Sequence, residues 1–93
     1  MLDYDNLVGR VVYSQAGRDS EKFFIIIDVI SKEYVYIVDG DLRKLDRPKK
    51  KKLKHLSLTN EVAENIKQLI ISNNISNTKI RKYLENREAN KEG

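Results

Sequence analysis

The segment Lys22-Phe-Phe-Ile-Ile-Ile-Asp-Val-Ile30 restricts the fold more tightly than any other stretch of the chain. Aromatic and β-branched residues favour an extended, pleated backbone, on which successive side chains point to opposite faces. Phe23, Ile25, Ile27 and Val29 therefore share one face, and Phe24, Ile26, Asp28 and Ile30 the other. Asp28 marks the wetter side, which places the odd-numbered set in the core. The even set is still too apolar to be left in water, so another layer must cover part of it.

Two further strands flank this one. Val8 to Gln15 is a short β-rich run that ends at Ala16-Gly17-Arg18-Asp19-Ser20, where Gly, Asp and Ser signal a turn. After the short connection Ser31-Lys32-Glu33, Tyr34 to Val38 alternates Val35 and Ile37 with Tyr34 and Tyr36. Asp39-Gly40 carries the type I′ turn signal. Gly40 to Lys52 has no periodicity and contains Pro48, so it reads as a long loop; Leu53 to Leu58 then alternates as a last strand. Strands at a spacing near ten residues, separated by turn signals, suggest a small barrel.

The period changes after Leu58. Val62, Ala63, Ile66, Leu69 and Ile70 fall on one face of an amphipathic helix, with Thr59 or Asn60 as its cap and Glu61 and Glu64 in its first turn. Asn73-Asn74 stops it, because Asn tolerates the left-handed conformation. Ser76 or Asn77 caps a second helix that runs to about Glu88 with Ile80, Tyr83 and Leu84 on its apolar side. The two helices form a hairpin over exposed apolar surface of the barrel. Ala89 to Gly93 is expected to fray.

With 93 residues the chain has room for one domain and a modest core. It has no cysteine, so disulfides, thiolate zinc sites and thiol catalysis are absent. The polar, acidic start Met1-Leu2-Asp3-Tyr4-Asp5 does not resemble a secretory signal, and no apolar run reaches the length of a membrane span. The expectation is a soluble cytoplasmic protein.

Charge is distributed unevenly. Residues 43–55 hold eight basic side chains and one acidic, hence +7, whereas the whole chain is +4. The first forty-two residues hold four basic and eight acidic side chains. A nearly neutral body carrying one concentrated positive segment implies an anionic partner. Lysine is a point charge that suits phosphate without demanding geometry, and arginine adds a planar fork. Pro48 biases Arg47 towards extended backbone, which favours an open arm from which Lys49, Lys50, Lys51 and Lys52 follow a phosphate backbone. Arg43, Lys44, Arg47, Lys54 and His55 complete this candidate surface. A solvated loop that merely aids solubility is the plainer alternative. The run also has the form of a nuclear-import signal or a polybasic membrane patch, but the first matches often by chance and the second lacks an adjoining amphipathic helix.

Several of these residues resemble a known family. Val11-Val12-Tyr13-Ser14-Gln15-Ala16-Gly17-Arg18-Asp19 followed by Phe23 to Val29 looks like a KOW motif, the β-hairpin segment of several ribosomal and transcription proteins. Asp39-Gly40-Asp41-Leu42-Arg43, Pro48-Lys49-Lys50-Lys51 and Lys54-His55-Leu56 resemble its continuation in small bacterial KOW-domain RNA-binding proteins. Those are similar to a KOW-type large-subunit ribosomal protein of archaea and eukaryotes. The resemblance covers about residues 7–58. The family often has Lys-Gly after the Arg-Asp, where this chain has Ser20-Glu21. The resemblance implies an SH3-like barrel and RNA binding, with ribosomal RNA first and ribosomal proteins as further partners.

Other candidates are weaker. Arg18 could contact phosphate from the first turn, with Gly17 and Asp19 shaping it as Gly40 shapes the later one; a surface ion pair is the plainer alternative. Tyr34 and Tyr36 could stack on unpaired bases, but packing beneath the helices is favoured. His55, beside Lys54, suits phosphate contact or structure better than catalysis. Nothing has the form of a phosphate-cradling Gly loop, a metal cluster or a catalytic triad. The expected architecture is mainly β with C-terminal α: an SH3-like (KOW) small β-barrel over 1–58 with a basic loop at 41–54, a helical hairpin over 59–88 and a flexible tail over 89–93. The expected role is non-catalytic RNA binding, with no cofactor, metal, membrane or small-molecule substrate. A KOW-type protein-interaction module docking on ribosomal or transcription machinery is the alternative.

Overall fold

The computed structural model describes residues 7–14 and 22–92, with side chains through Arg87. Five strands come first: β1 (Arg10–Ser14), β2 (Phe23–Val29), β3 (Tyr34–Val38), β4 (Lys49–Lys52) and β5 (Leu56–Val62). A 3-10 turn, Leu53–His55, joins β4 to β5, and helices α1 (Glu64–Ile71) and α2 (Asn77–Glu92) follow. The strands form one antiparallel sheet in the order β4-β3-β2-β1-β5. β4 and β5 are its two edges and do not pair with each other, so the sheet is not closed.

β2 carries the core on both faces, and a bulge decides which side chain goes where. Ile26 stands opposite Ile37, but Asp28 stands opposite Tyr36, so Ile27 is an extra residue in the ladder. Before it, Phe24 and Ile26 point into one apolar cluster with Leu7, Val12, Val35, Ile37 and Leu56; after it, Val29 packs on that same cluster. Ile25, with Phe23 and Ile27 beside it, belongs to a second cluster that contains Val11, Val38, Ala63, Ile66, Ile80 and Leu84. The expected wet face of β2 is thus a core face: Phe24 and Ile26 are fully buried. Asp28 is exposed because the bulge reverses the alternation just before it, so its polarity says nothing about Phe24 or Ile26. Burying side chains of this size is worth about 2–3 kcal/mol each.

The helices cover the second cluster, as a hairpin over apolar sheet surface should. α1 stops where expected. Asn73 has φ +62°, and the Asn74 and Asn73 N–H groups donate back to the carbonyls of Leu69 (2.8 Å) and Ile70 (3.1 Å), the double bond of a Schellman end. Ser76 caps α2 by accepting from the Lys79 N–H at 3.3 Å. From α2, Tyr83 donates its hydroxyl to Glu61 Oε2 and Arg87 Nε donates to Glu61 Oε1 at 2.6 Å, while the guanidinium lies 4.2 Å from the Phe23 ring centre. Burial, reinforced by the Glu61 carboxylate, pushes the Tyr83 phenol up to about 12. These contacts pin α2 to β5 and β2.

Three boundaries differ from expectation. The last strand begins at Leu56, after the 3-10 turn, and runs on to Val62, so the division at 58 cuts through it. Thr59 is not a helix cap: its hydroxyl donates to the Val11 carbonyl at 2.7 Å and so ties β5 to β1. Ala63 occupies the cap position of α1, and its N–H is satisfied by the Gly9 carbonyl at 2.9 Å. α2 continues through Glu92 rather than ending at Glu88, because Ala89 to Glu92 contains neither Gly nor Pro to break it.

Candidate nucleic-acid interface

The tetralysine run is not an open loop. Lys49–Lys52 is β4, paired in antiparallel register with β3 through Tyr34↔Lys52, Val35↔Lys51, Tyr36↔Lys50 and Ile37↔Lys49. Lysine has little strand propensity and the run shows no alternation, so no pattern in the sequence announces it. Its position at the sheet edge accounts for it: charged side chains there keep the open edge from pairing with other chains. Pro48 immediately precedes the strand, a place where its missing N–H costs no ladder bond.

As a strand, β4 sorts its lysines into two pairs. Lys50 and Lys52 project on the face that carries Tyr34 and Tyr36, and Lys49 and Lys51 on the face of Val35 and Ile37. The Lys50 and Lys52 ammonium groups stand 4.7 Å and 5.6 Å from the Tyr34 ring centre. Each such contact is worth about 0.5–1 kcal/mol where water has access. Tyr34 thus holds two positive charges in place instead of packing beneath the helices. Neither Tyr34 nor Tyr36 joins the second apolar cluster, to which β3 contributes Val38, while α2 lies against β2.

The segment 39–48 that leads into β4 is held at its base by Asp39. This side chain is buried, and its Oδ1 accepts from the N–H groups of Asp41 (3.0 Å) and Arg43 (2.8 Å). Its Oδ2 accepts from Lys22 Nζ at 3.0 Å. Burial works against the charged carboxylate, but the Arg43 and Asp41 N–H groups and the Lys22 ammonium outweigh it and hold its pKa below the usual 3.8. Gly40 has φ +80°, while Asp39 does not share the left-handed conformation, so this is not the type I′ hairpin turn expected. The chain instead packs on α2. A Cβ on Gly40 would lie 2.3 Å from the Asn77 carbonyl oxygen, and the Leu45 N–H donates to Asn77 Oδ1 at 2.8 Å.

The predicted basic residues are distributed along this anchored path. Arg43 is half-buried with its backbone tied to Asp39 and Gly40; Lys44 and Arg47 are exposed around a turn closed by the Arg47 N–H on the Lys44 carbonyl at 2.9 Å. Lys49 to Lys52 follow the edge, and Lys54 and His55 are exposed on the 3-10 turn. Gly17, Arg18 and Asp19, and with them Ser20-Glu21, lie outside the described residues. Sequence reasoning missed Lys32. Alone in a turn it gives no pattern, but the Glu33 carbonyl accepts from the Leu53 N–H at 2.8 Å, which brings this turn against the 3-10 turn.

Among the described residues, no three His, Asp or Glu side chains converge as a metal site, and no helix is long and apolar enough to cross a membrane. No protein-family model matches the chain, and no curated protein matches it either.

Proposed function

We propose that this protein is a non-catalytic RNA-binding protein that contacts ribosomal RNA or another structured RNA through β4 and the turns at its two ends. The observation that carries this reading is that the +7 segment is built into the sheet: Lys49–Lys52 lie on an edge strand, and Tyr34 orders two of their ammonium groups. A solubility tail has no use for a carboxylate buried to brace its base or for an aromatic platform under its charges. Phosphates spaced along a strand suit side chains repeated along a strand, since residues on one face recur about every 7 Å. Fixed charges also lose less freedom on binding than those of a loose arm.

In this reading the sheet is an SH3-like barrel of the KOW type, left open between β4 and β5. The four-strand meander whose fifth strand returns to β1, with β1, β2, β3 and β5 all contributing to the Phe24 cluster, supports it. The protein then works in the cytoplasm, without a cofactor, beside ribosomal proteins. A second reading has one observation in its favour. Large apolar side chains stand exposed on the sheet and on α1, Leu58 at 44% and Ile71 at 64%, a surface on which a KOW-type interaction module would dock. Crosslinking in cells with sequencing of the attached RNA, combined with gradient fractionation, tests the proposal. Enrichment of ribosomal RNA and co-sedimentation with ribosomal particles support it; protein-only crosslinks favour the second reading.

A further inference from the structure

The two sheet edges do not pair, and the 3-10 turn between them leaves an open groove of about 410 Å³. Its lining comes from three places in the chain: Lys32 and Glu33 from the β2–β3 turn, Lys52, Leu53 and Lys54 from the end of β4 and the 3-10 turn, and Leu58 from β5. Leu58 is 44% exposed, although it is a large apolar side chain on a five-strand sheet. The Leu53 N–H bond to the Glu33 carbonyl fixes the near rim. The groove is thus lined by two leucines together with three lysines and one glutamate.

That combination separates two kinds of RNA. The phosphates of a duplex would use the lysines and leave the leucines in water, because the bases of an A-form helix are stacked inside it. An unpaired nucleotide would use both, its base covering Leu53 and Leu58 and its flanking phosphates meeting Lys32, Lys52 and Lys54. The size agrees, since small-ligand sites begin at about 300 Å³. Lys52 also contacts Tyr34, so the groove is continuous with the basic face of β4. We infer that this groove receives one unstacked nucleotide, so that the ligand is single-stranded RNA at this point. Glu33 is the acceptor-only side chain on the rim and favours a base with an exocyclic amino group, cytosine, adenine or guanine over uracil. The inference rests on the RNA-binding reading above and narrows it to a strand or loop.

The test compares a short single-stranded RNA with a blunt duplex of the same sequence, using the full chain, the variant Leu58→Gln and the variant Lys54→Gln. Methyl resonances of Leu53 and Leu58 are followed in the same titrations. The strand is expected to bind about tenfold more tightly than the duplex and to shift both methyls by ring current. Leu58→Gln should weaken the strand several-fold and leave the duplex unchanged, because the apolar surface that the base would cover is lost. Lys54→Gln should weaken both forms a few-fold, and unchanged melting of each variant shows that the fold survives. Equal binding of strand and duplex with silent leucine methyls overturns the groove while leaving RNA binding intact. Binding of neither RNA overturns both, and methyl shifts produced by an acidic peptide but not by RNA would make the groove a protein site.

Discussion

Replacing Asp39 with Asn tests how the basic segment is held. The native carboxylate accepts two backbone N–H groups, at 2.8 and 3.0 Å, and the Lys22 ammonium at 3.0 Å. Asn keeps the shape and one acceptor oxygen but removes the charge. A hydrogen bond to a charged group contributes about 1.5–3 kcal/mol, against roughly 1 for a neutral one. The Lys22 pair adds little, because that side chain is 38% exposed and water screens it. The expected cost of Asp39→Asn at neutral pH is therefore about 2 kcal/mol, measured by urea unfolding. Its pH dependence is more diagnostic. The folded protein holds the Asp39 pKa below 3.8, so the charged form stabilises the fold fully above that value and the contribution is lost as pH falls through the lower, folded value. The gap between native protein and Asp39→Asn should accordingly be constant from neutrality to about pH 5 and shrink in more acid solution. A gap that stays the same below pH 4 would refute the argument that charge at Asp39 holds the segment.

Two further perturbations probe the frame. Gly40→Ala forces a Cβ to within 2.3 Å of the Asn77 carbonyl oxygen and 2.8 Å of the Arg81 nitrogen, in a backbone conformation that disfavours side chains. It should cost about 3 kcal/mol and lower Tm by on the order of 15 °C in calorimetry; a loss under about 1 kcal/mol would mean that the 39–48 segment does not press on α2. For Tyr83, an ultraviolet titration of the tyrosines should show one phenol ionising at about 12, and Tyr83→Phe should delete that step. Because this pKa is raised above the usual 10.0, its contribution is complete below that value and is lost as pH rises through about 12.

The sequence was informative where local chemistry decides structure. Phe23 to Val29, the Asn73 helix stop and the Ser76 cap are legible because β-branching, left-handed tolerance and a hydroxyl acceptor act over a few residues. It was misleading where distant pairing overrides local preference. Lys49 to Lys52 has no reason to extend until β3 offers it an edge, and Ile27 gives no sign that it will bulge and reverse the faces around Asp28. Thr59 has the chemistry of a helix cap, yet Val11 captured its hydroxyl for the sheet. The same division holds for the candidate site. Charge counting found the basic segment, but the pairing of Lys50 and Lys52 over Tyr34 and the approach of Lys32 to Lys54 depend on which strands meet. No count of charges contains that information.

The central claim is that the β4 lysines bind RNA phosphates. Its most direct test is the salt dependence of RNA affinity for the native chain and for a variant with Lys49, Lys50, Lys51 and Lys52 all changed to Gln. Each phosphate contact on a single strand contributes about 0.7 to the slope of log affinity against log salt, so the native slope should become shallower by roughly 3. An unchanged slope, with the variant still folded, would contradict the claim.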